Sequence, residues 1–187
     1  MAKRSRPSYR YSISSSSTPK RLSYLKERLV WEQEKLLMYG REVSVPRRVA
    51  FLGDAGLCYH YSGKDHYAHG WPDWLLSTKQ EAESLSGQAF NCVLLNWYQD
   101  GSDYMGWHSD SEPVLGPAPV VAMLSLGAQR EFLFRLKGNH KIKWQLSLED
   151  ESWLVMAAST QALWQHSLPK RKKVQEERIS LTFRLLL

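Results

Sequence analysis

The sequence predicts a mainly β protein of the α+β class, a roll of strands with a few helices. Three observations lead there. From residue 89 onward, short stretches rich in Val, Leu, Trp, Tyr and Phe recur at even spacing, separated by Gly, Pro, Asn and Asp. Helical periodicity is confined to two segments before Gly87. At 187 residues the chain is long enough for one domain with a real core, and it contains no internal repeat.

The elements follow in order. Residues 1–21 are basic and Ser-rich, with Ser14 to Ser17 in a row, and are expected to be a disordered tail, leaving 22–187 as a single domain. Residues 23–36 read as one amphipathic helix, with Leu22, Leu25, Leu29, Leu36 and Leu37 roughly on a face. Extended segments are expected over 37–51 and 57–62. Trp71 and Pro72 open a second helix that runs to about residue 85, before Gly87. Strands then follow over 89–99, 104–108, 119–126, 130–136, 141–147, 152–157, 164–167 and 177–186, with Gly116 to Pro119 as a loop between two of them.

Composition narrows the class. The net charge is +6, but residues 1–48 hold twelve Lys/Arg against four Glu, while the remainder carries 13 basic and 15 acidic side chains. A basic half of this kind faces a polyanion; a solubilising tail is the plainer alternative. Lys170, Arg171, Lys172 and Lys173 form a second basic run, suited to phosphates or simply solvated. Two cysteines, Cys58 and Cys92, give no disulfide framework and fit a reducing compartment. No apolar run reaches the ~18 residues of a membrane helix, and no secretory signal is visible. The expected setting is cytoplasmic or DNA-associated, not secreted and not membrane-bound, and the expected form is a monomer.

The chemistry lies in His108 and Asp110, followed 56 positions after the aspartate by His166. Two imidazoles and one carboxylate on one side of a ferrous ion form a facial triad, with open positions for a bidentate co-substrate and O2. Residues two apart on a strand point the same way, so His108 and Asp110 fit one strand and His166 a neighbouring one. The plain alternative for H-x-D is a turn histidine beside an acid. Near the end, in R-I-S-L-T-F-R, positions 178, 180, 182 and 184 share one strand face and Ile179, Leu181 and Phe183 the other. Arg178, Thr182 and Arg184 can therefore line one pocket. A guanidinium there would meet the distal carboxylate of 2-oxoglutarate with two parallel bonds. An edge strand with solvated arginines is the alternative.

Further motifs flank these residues. They include Met38 to Arg47 (M-Y-G-R-E-V-S-V-P-R), Gly53 to Gly63 (G-D-A-G-L-C-Y-H-Y-S-G), Asn96 to Gly101 (N-W-Y-Q-D-G), Ser125 to Arg130, Trp164 to Pro169 and Arg178 to Arg184. In that order, from about Glu34 to Leu187, they resemble the AlkB family of dioxygenases. The resemblance is strongest to the branch that repairs alkylated DNA, including the homologue that works on duplexes. It implies a double-stranded β-helix jelly roll (about 89–187), supporting helices and a nucleotide-recognition lid (about 34–63). It also implies Fe(II), with 2-oxoglutarate and O2 as co-substrates. By the same resemblance Asn96 and Tyr98 hydrogen-bond the co-substrate, Arg178 pairs with its distal carboxylate and Arg184 sits near its keto acid end. The family has Asn where this chain has Ser180, which removes one hydrogen bond.

A base inside a duplex must be flipped out to reach a metal. Tyr61 occupies the family position that sandwiches such a base against His108. Tyr59 and Ser62 lie on the same segment as base or backbone contacts, although Leu57, Tyr59 and Tyr61 also read as one hydrophobic strand face. Glu112 can accept from an exocyclic amine, which selects adenine and cytosine types. Arg47 matches a residue near the base pocket, or else contacts a phosphate. Tyr39, at the Met38-Tyr39-Gly40 turn, matches an aromatic wedge that fills the gap left by a flipped base; an ordinary hairpin tip is the alternative. Only a short segment separates Arg135 from Trp144, where the duplex-active homologue has a longer basic loop. The implied activity is oxidative demethylation of N-alkylated DNA bases of the 1-methyladenine and 3-methylcytosine type. Competing readings are the same chemistry on RNA, a protein or a lipid, and a non-catalytic nucleic-acid-binding jelly roll.

Overall fold

The computed structural model describes residues 6–14, 21–38, 41–61 and 63–187. Strand β1 (Tyr9–Ile13) precedes helix α1 (Arg21–Arg28), and the hairpin β2 (Lys35–Met38) and β3 (Arg41–Ser44) follows. Next come β4 (Arg48–Gly53), the hairpin β5 (Cys58–Tyr61) and β6 (Lys64–Tyr67), and helix α2 (Asp73–Ser86). The rest of the chain is β7 (Cys92–Tyr98), β8 (Met105–His108), a 3₁₀ turn (Pro113–Leu115), β9 (Val121–Gly127), β10 (Arg130–Leu136), β11 (Asn139–Leu148), β12 (Ser152–Met156), helix α3 (Ala158–Leu163), β13 (Trp164–Leu168) and β14 (Arg178–Arg184).

Two antiparallel sheets hold most of this. One has six strands in the order β1-β12-β9-β14-β7-β4, the other four in the order β11-β10-β13-β8. Each face of the larger sheet does a different job, because side chains alternate along a strand. Ile179, Leu181 and Phe183 of β14 point into a core shared with Leu25 of α1 and Leu75 and Ala82 of α2. The opposite face packs Val121, Met123, Leu154 and Met156 against Phe132, Phe134, Trp164 and Leu168 of the smaller sheet. Fully burying such side chains stabilises the fold by about 1.5–3 kcal/mol each. The arrangement is the expected jelly roll with helices on one side.

Helix α2 matches its sequence signals. Pro72 precedes it, and Gly87 ends it at φ 68°, with its N–H bonded to the Glu83 carbonyl. The expected helix over 23–36 does not hold in its second half. After Arg28 the chain turns extended, Glu32 and Val49 exchange backbone hydrogen bonds of 2.8 and 2.9 Å, and Trp31 packs against Trp97. Lys35–Met38 then pairs with Arg41–Ser44. The tail expected over 1–21 is also corrected where it is described. Tyr9–Ile13 pairs with β12 in register, with Tyr9 opposite Met156. The Tyr9 ring stacks on Phe134 and its hydroxyl accepts from Trp144, while the Tyr11 hydroxyl accepts from the Glu149 N–H. Helix α3 was not expected from the sequence.

The loops around the open end are tied down. Gly101 N–H bonds to the Val174 carbonyl and Arg171 N–H to the Gly101 carbonyl. A Cβ on Gly101 would stand 1.8 Å from the Arg171 oxygen, so only glycine fits. Arg130, 1% exposed, donates to the carbonyls of Asp100, Asp103 and Pro169. No described helix is long and apolar enough to cross a membrane.

Candidate active site

His108 ends β8, and His166 lies directly opposite it on β13. Their Nε2 atoms are 3.1 Å apart. Asp110 is two residues past His108, beyond the end of β8, so the pair does not share one strand. Side-chain hydrogen bonds bring Asp110 back instead. Ser109 Oγ donates to the Trp164 carbonyl, and the Asp110 N–H donates to Gln161 Oε1 at 3.0 Å. Asp110 Oδ2 then lies 3.5 Å from His166 Nε2. One ligand atom from each of the three residues falls within 4.8 Å of the others.

These groups fit a divalent metal. His108 Nδ1 faces the Gly106 carbonyl at 2.9 Å, which assigns the proton to Nδ1 and leaves a lone pair on Nε2. Burial, reinforced by His108, pushes the His166 imidazole down to about 3, so it is neutral at physiological pH. Burial alone would raise the Asp110 carboxyl. The Arg184 guanidinium outweighs it and holds the carboxyl well below the usual range. Asp110 Oδ2 and His166 Nδ1 are buried without a hydrogen-bond partner. Two imidazole nitrogens and a carboxylate oxygen converging in this way are donors for a cation such as Fe(II).

Arg184 Nε and Nη2 both donate to Asp110 Oδ1, at 3.1 and 2.5 Å. The sequence reading set Arg184 near the keto acid end of a co-substrate. In the structure it lines the same pocket but is held by the carboxylate ligand, so it orients that ligand and balances its charge. At the other end of the pocket lies Arg178, 1% exposed. Its Nε donates to Ser125 Oγ at 3.0 Å, its guanidinium lies 5.3 Å from the Tyr98 ring centre, and its Nη2 has no partner. Burial draws its pKa down to about 10, still cationic at neutral pH. Tyr98 and Asn96 stand opposite Arg178 and Ser180 in the β7–β14 register. Asn96, Tyr98, Ser180 and Thr182 line the pocket with both arginines.

The substrate-side residues divide. Glu112 is half-buried and its Oε2 is enclosed without a partner. Tyr59 is 0% exposed, packed with Cys92, Leu115 and Leu186 and tilted against Phe51, so it forms a wall and presents no stacking surface. Arg47 is 6% exposed and donates from Nε to Asn96 Oδ1 at 2.6 Å, so this end of its guanidinium is turned to the co-substrate pocket that Asn96 lines. Tyr39 and Ser62 lie outside the described residues, and Tyr61 is described only as the end of β5. Of the basic run, Arg171 pairs with Glu131 and Lys170 covers the Tyr104 ring, which leaves Lys172 and Lys173 exposed. Sequence reasoning missed Ser125 and Gln161. Ser125 stood in a quoted motif, whereas nothing near Gln161 marked it as a partner of the Asp110 backbone.

Comparison with known proteins agrees with this geometry. The model of the 2OG-Fe(II) oxygenase superfamily matches residues 8–184. DNA oxidative demethylase ALKBH2 of Mus musculus is 39% identical over 160 residues, covering 82% of this chain and 67% of that protein. The Homo sapiens ALKBH2 is also 39% identical, with 61% of its length covered. Alpha-ketoglutarate-dependent dioxygenase alkB homolog 3 of Rattus norvegicus is 35% identical over 162 residues, covering 82% of this chain and 55% of that protein. The chain thus spans roughly three fifths of the curated relatives it matches. Among solved structures, that of OsALKBH1 shares the fold at TM-score 0.62 and 16% identity, covering 97% of this chain and 100% of that one. The chain belongs to the 2OG-Fe(II) oxygenase superfamily, which implies Fe(II) with 2-oxoglutarate and O2 as co-substrates.

Proposed function

We propose that this protein is an oxidative demethylase of N-alkylated bases, of the 1-methyladenine and 3-methylcytosine type, in DNA. The observation that carries the reading is Glu112. Its Oε2 is buried without a hydrogen-bond partner, two residues along the chain from a metal ligand, and an exocyclic amine donor would satisfy it. The relatives named as DNA oxidative demethylases support the same substrate class.

When bound, Fe(II) with 2-oxoglutarate and O2 supplies the oxidation of the N-methyl group, which leaves as formaldehyde while 2-oxoglutarate becomes succinate and CO2. The remaining work falls to the chain. His108, Asp110 and His166 would hold the metal, with Arg184 fixing the Asp110 carboxylate. Arg178 would take the distal carboxylate of 2-oxoglutarate through its guanidinium, whose Nη2 lacks a hydrogen-bond partner. Asn96 and Tyr98 would donate to co-substrate oxygens, and Thr182 closes the pocket wall. Tyr61 and Ser62 are assigned to the flipped base, and Tyr39 to the wedge, on the sequence pattern. Exposed Lys141, Lys143, Lys172 and Lys173 are available to phosphates.

The test is formaldehyde release from oligonucleotides carrying 1-methyladenine or 3-methylcytosine, as single- and double-stranded DNA and as RNA, with and without 2-oxoglutarate. Release from DNA that requires 2-oxoglutarate is expected. Release from methylated RNA alone, or from none of these substrates, would refute the assignment. Tyr39→Ala should cost about tenfold on duplexes and little on single strands, the loss of about one base–aromatic stack. Equal losses on both would remove the wedge.

A further inference from the structure

We infer that Arg47 is a positioning residue for the co-substrate: it fixes the Asn96 carboxamide so that its N–H donors are the end left for 2-oxoglutarate. The inference rests on the assignment of Asn96 to the co-substrate and not on the choice of nucleic acid.

The hydrogen bond itself is the first argument. Arg47 Nε donates to Asn96 Oδ1 at 2.6 Å, with the two residues 6% and 4% exposed. A carboxamide has one accepting oxygen and one donating nitrogen. With Oδ1 committed to a guanidinium, the Nδ2 donors remain for the pocket that Asn96 lines. The oxygens of 2-oxoglutarate can only accept from such a group, so a flipped amide would face them with a lone pair. A charged donor in a buried site enforces that choice more strongly than a neutral one.

The second argument is the support behind Arg47. The segment Val45-Pro46-Arg47 is pinned at every residue. Val45 N–H bonds to the Glu34 carbonyl at 2.8 Å, and the Tyr104 N–H bonds to the Pro46 carbonyl at 3.2 Å. Gln33 Nε2 donates to the carbonyls of both Val45 and Arg47. Pro46 adds a fixed φ. Buried Glu34, itself 3.1 Å from His66, lies close enough for its charge to act on Arg47. These are the marks of a side chain delivered to one place, in contrast to its neighbour Arg48, which lies over the Trp97 ring. Strand β2, whose approach carries Gln33 and Glu34, is thereby linked through Arg47 to the floor of the co-substrate pocket.

The experiment uses the full chain loaded with Mn(II) in place of iron, so that no turnover occurs. Binding of 2-oxoglutarate is measured by calorimetry for the wild type, Arg47→Met, Asn96→Ala and the double variant. Arg47→Met is expected to weaken 2-oxoglutarate about tenfold while leaving Mn(II) affinity unchanged. The double variant should bind no more weakly than Asn96→Ala, because Arg47 acts only through Asn96. Additive losses, or an unchanged affinity in Arg47→Met, would overturn the inference. If Asn96→Ala itself binds 2-oxoglutarate as the wild type does, the assignment of Asn96 fails and the inference falls with it. Should Arg47→Met not fold, Arg47→Lys keeps the charge near Glu34 and is judged by the same cycle. Binding of a methylated single-stranded oligonucleotide is expected to stay unchanged in Arg47→Met. Loss of that binding with 2-oxoglutarate unaffected would return Arg47 to the nucleic-acid side.

Discussion

Arg178→Met should separate co-substrate binding from both metal binding and folding. In the structure the guanidinium is a buried cation with no carboxylate at ion-pair distance among the described residues, held by Ser125 Oγ and the Tyr98 ring. Removing a lone buried charge in favour of an apolar chain of similar length should leave the ligand-free protein as stable or more stable, by about 1 kcal/mol. The co-substrate loses much more. Two charge-assisted bonds to a carboxylate contribute about 3 kcal/mol together, so 2-oxoglutarate should bind about a hundredfold more weakly. The assay is thermal or urea unfolding of the Mn(II) form with and without 2-oxoglutarate. At a concentration about 100 times its Kd, the ligand should stabilise the wild type by about 2.7 kcal/mol. At the same concentration Arg178→Met should gain only about 0.4 kcal/mol. A destabilised ligand-free variant that still responds fully to 2-oxoglutarate would show that Arg178 is merely a structural member of β14.

Other outcomes are expected on the same grounds. His108→Ala, Asp110→Ala and His166→Ala should each abolish turnover and tight Mn(II) binding, because two donors do not hold the ion; normal metal content in any of them removes that residue from the site. Arg184→Met strands the Asp110 carboxylate and should destabilise the metal-free protein by about 3–5 kcal/mol, with a loss under 1 kcal/mol counting against the buried pair. Burial pushes the Cys92 thiol from 9.0 up to about 12, whereas Cys58 is exposed. At pH 8, maleimide should therefore label Cys58 in the native protein and Cys92 only after unfolding. The native state keeps the Cys92 proton that the unfolded chain releases above pH 9, so stability should fall as pH rises from 9 towards 12. Cys92→Ala should make that slope shallower.

What could be read from the residues depended on whether a local pattern also decided the packing. In β14 the alternation of Arg178, Ser180, Thr182 and Arg184 with Ile179, Leu181 and Phe183 fixed both faces, because one is charged and the other apolar. The metal ligands carry a chemical signature that survives without any knowledge of pairing. Residues 29–36 misled because the leucines fit a helical stripe, while the outcome was set by partners further along the chain, Val49 and Trp97. Arg47 was assigned to the base pocket or a phosphate because nothing in V-P-R indicates that its partner is Asn96, 49 positions on. Asp110 obeyed the strand period only on paper, since the chain leaves β8 before reaching it and a glutamine from α3 sets its position. Tyr9, Arg10 and Tyr11 did carry a period-2 signal, masked by the serine run that follows.

That first strand bears on the oxygenase chemistry from a distance. The two sheets carry complementary halves of the centre, the imidazoles on one and the guanidinium groups on the other. Strand β1 belongs to the larger sheet, yet Tyr9 reaches Phe134 and Trp144 of the smaller one. It works as a brace across the gap, and it also covers the edge of β12, whose five residues are all buried. Trimming the chain past Ile13 would uncover an apolar edge ready to pair with another copy. It would also leave the spacing between ligand half and co-substrate half to the remaining contacts alone.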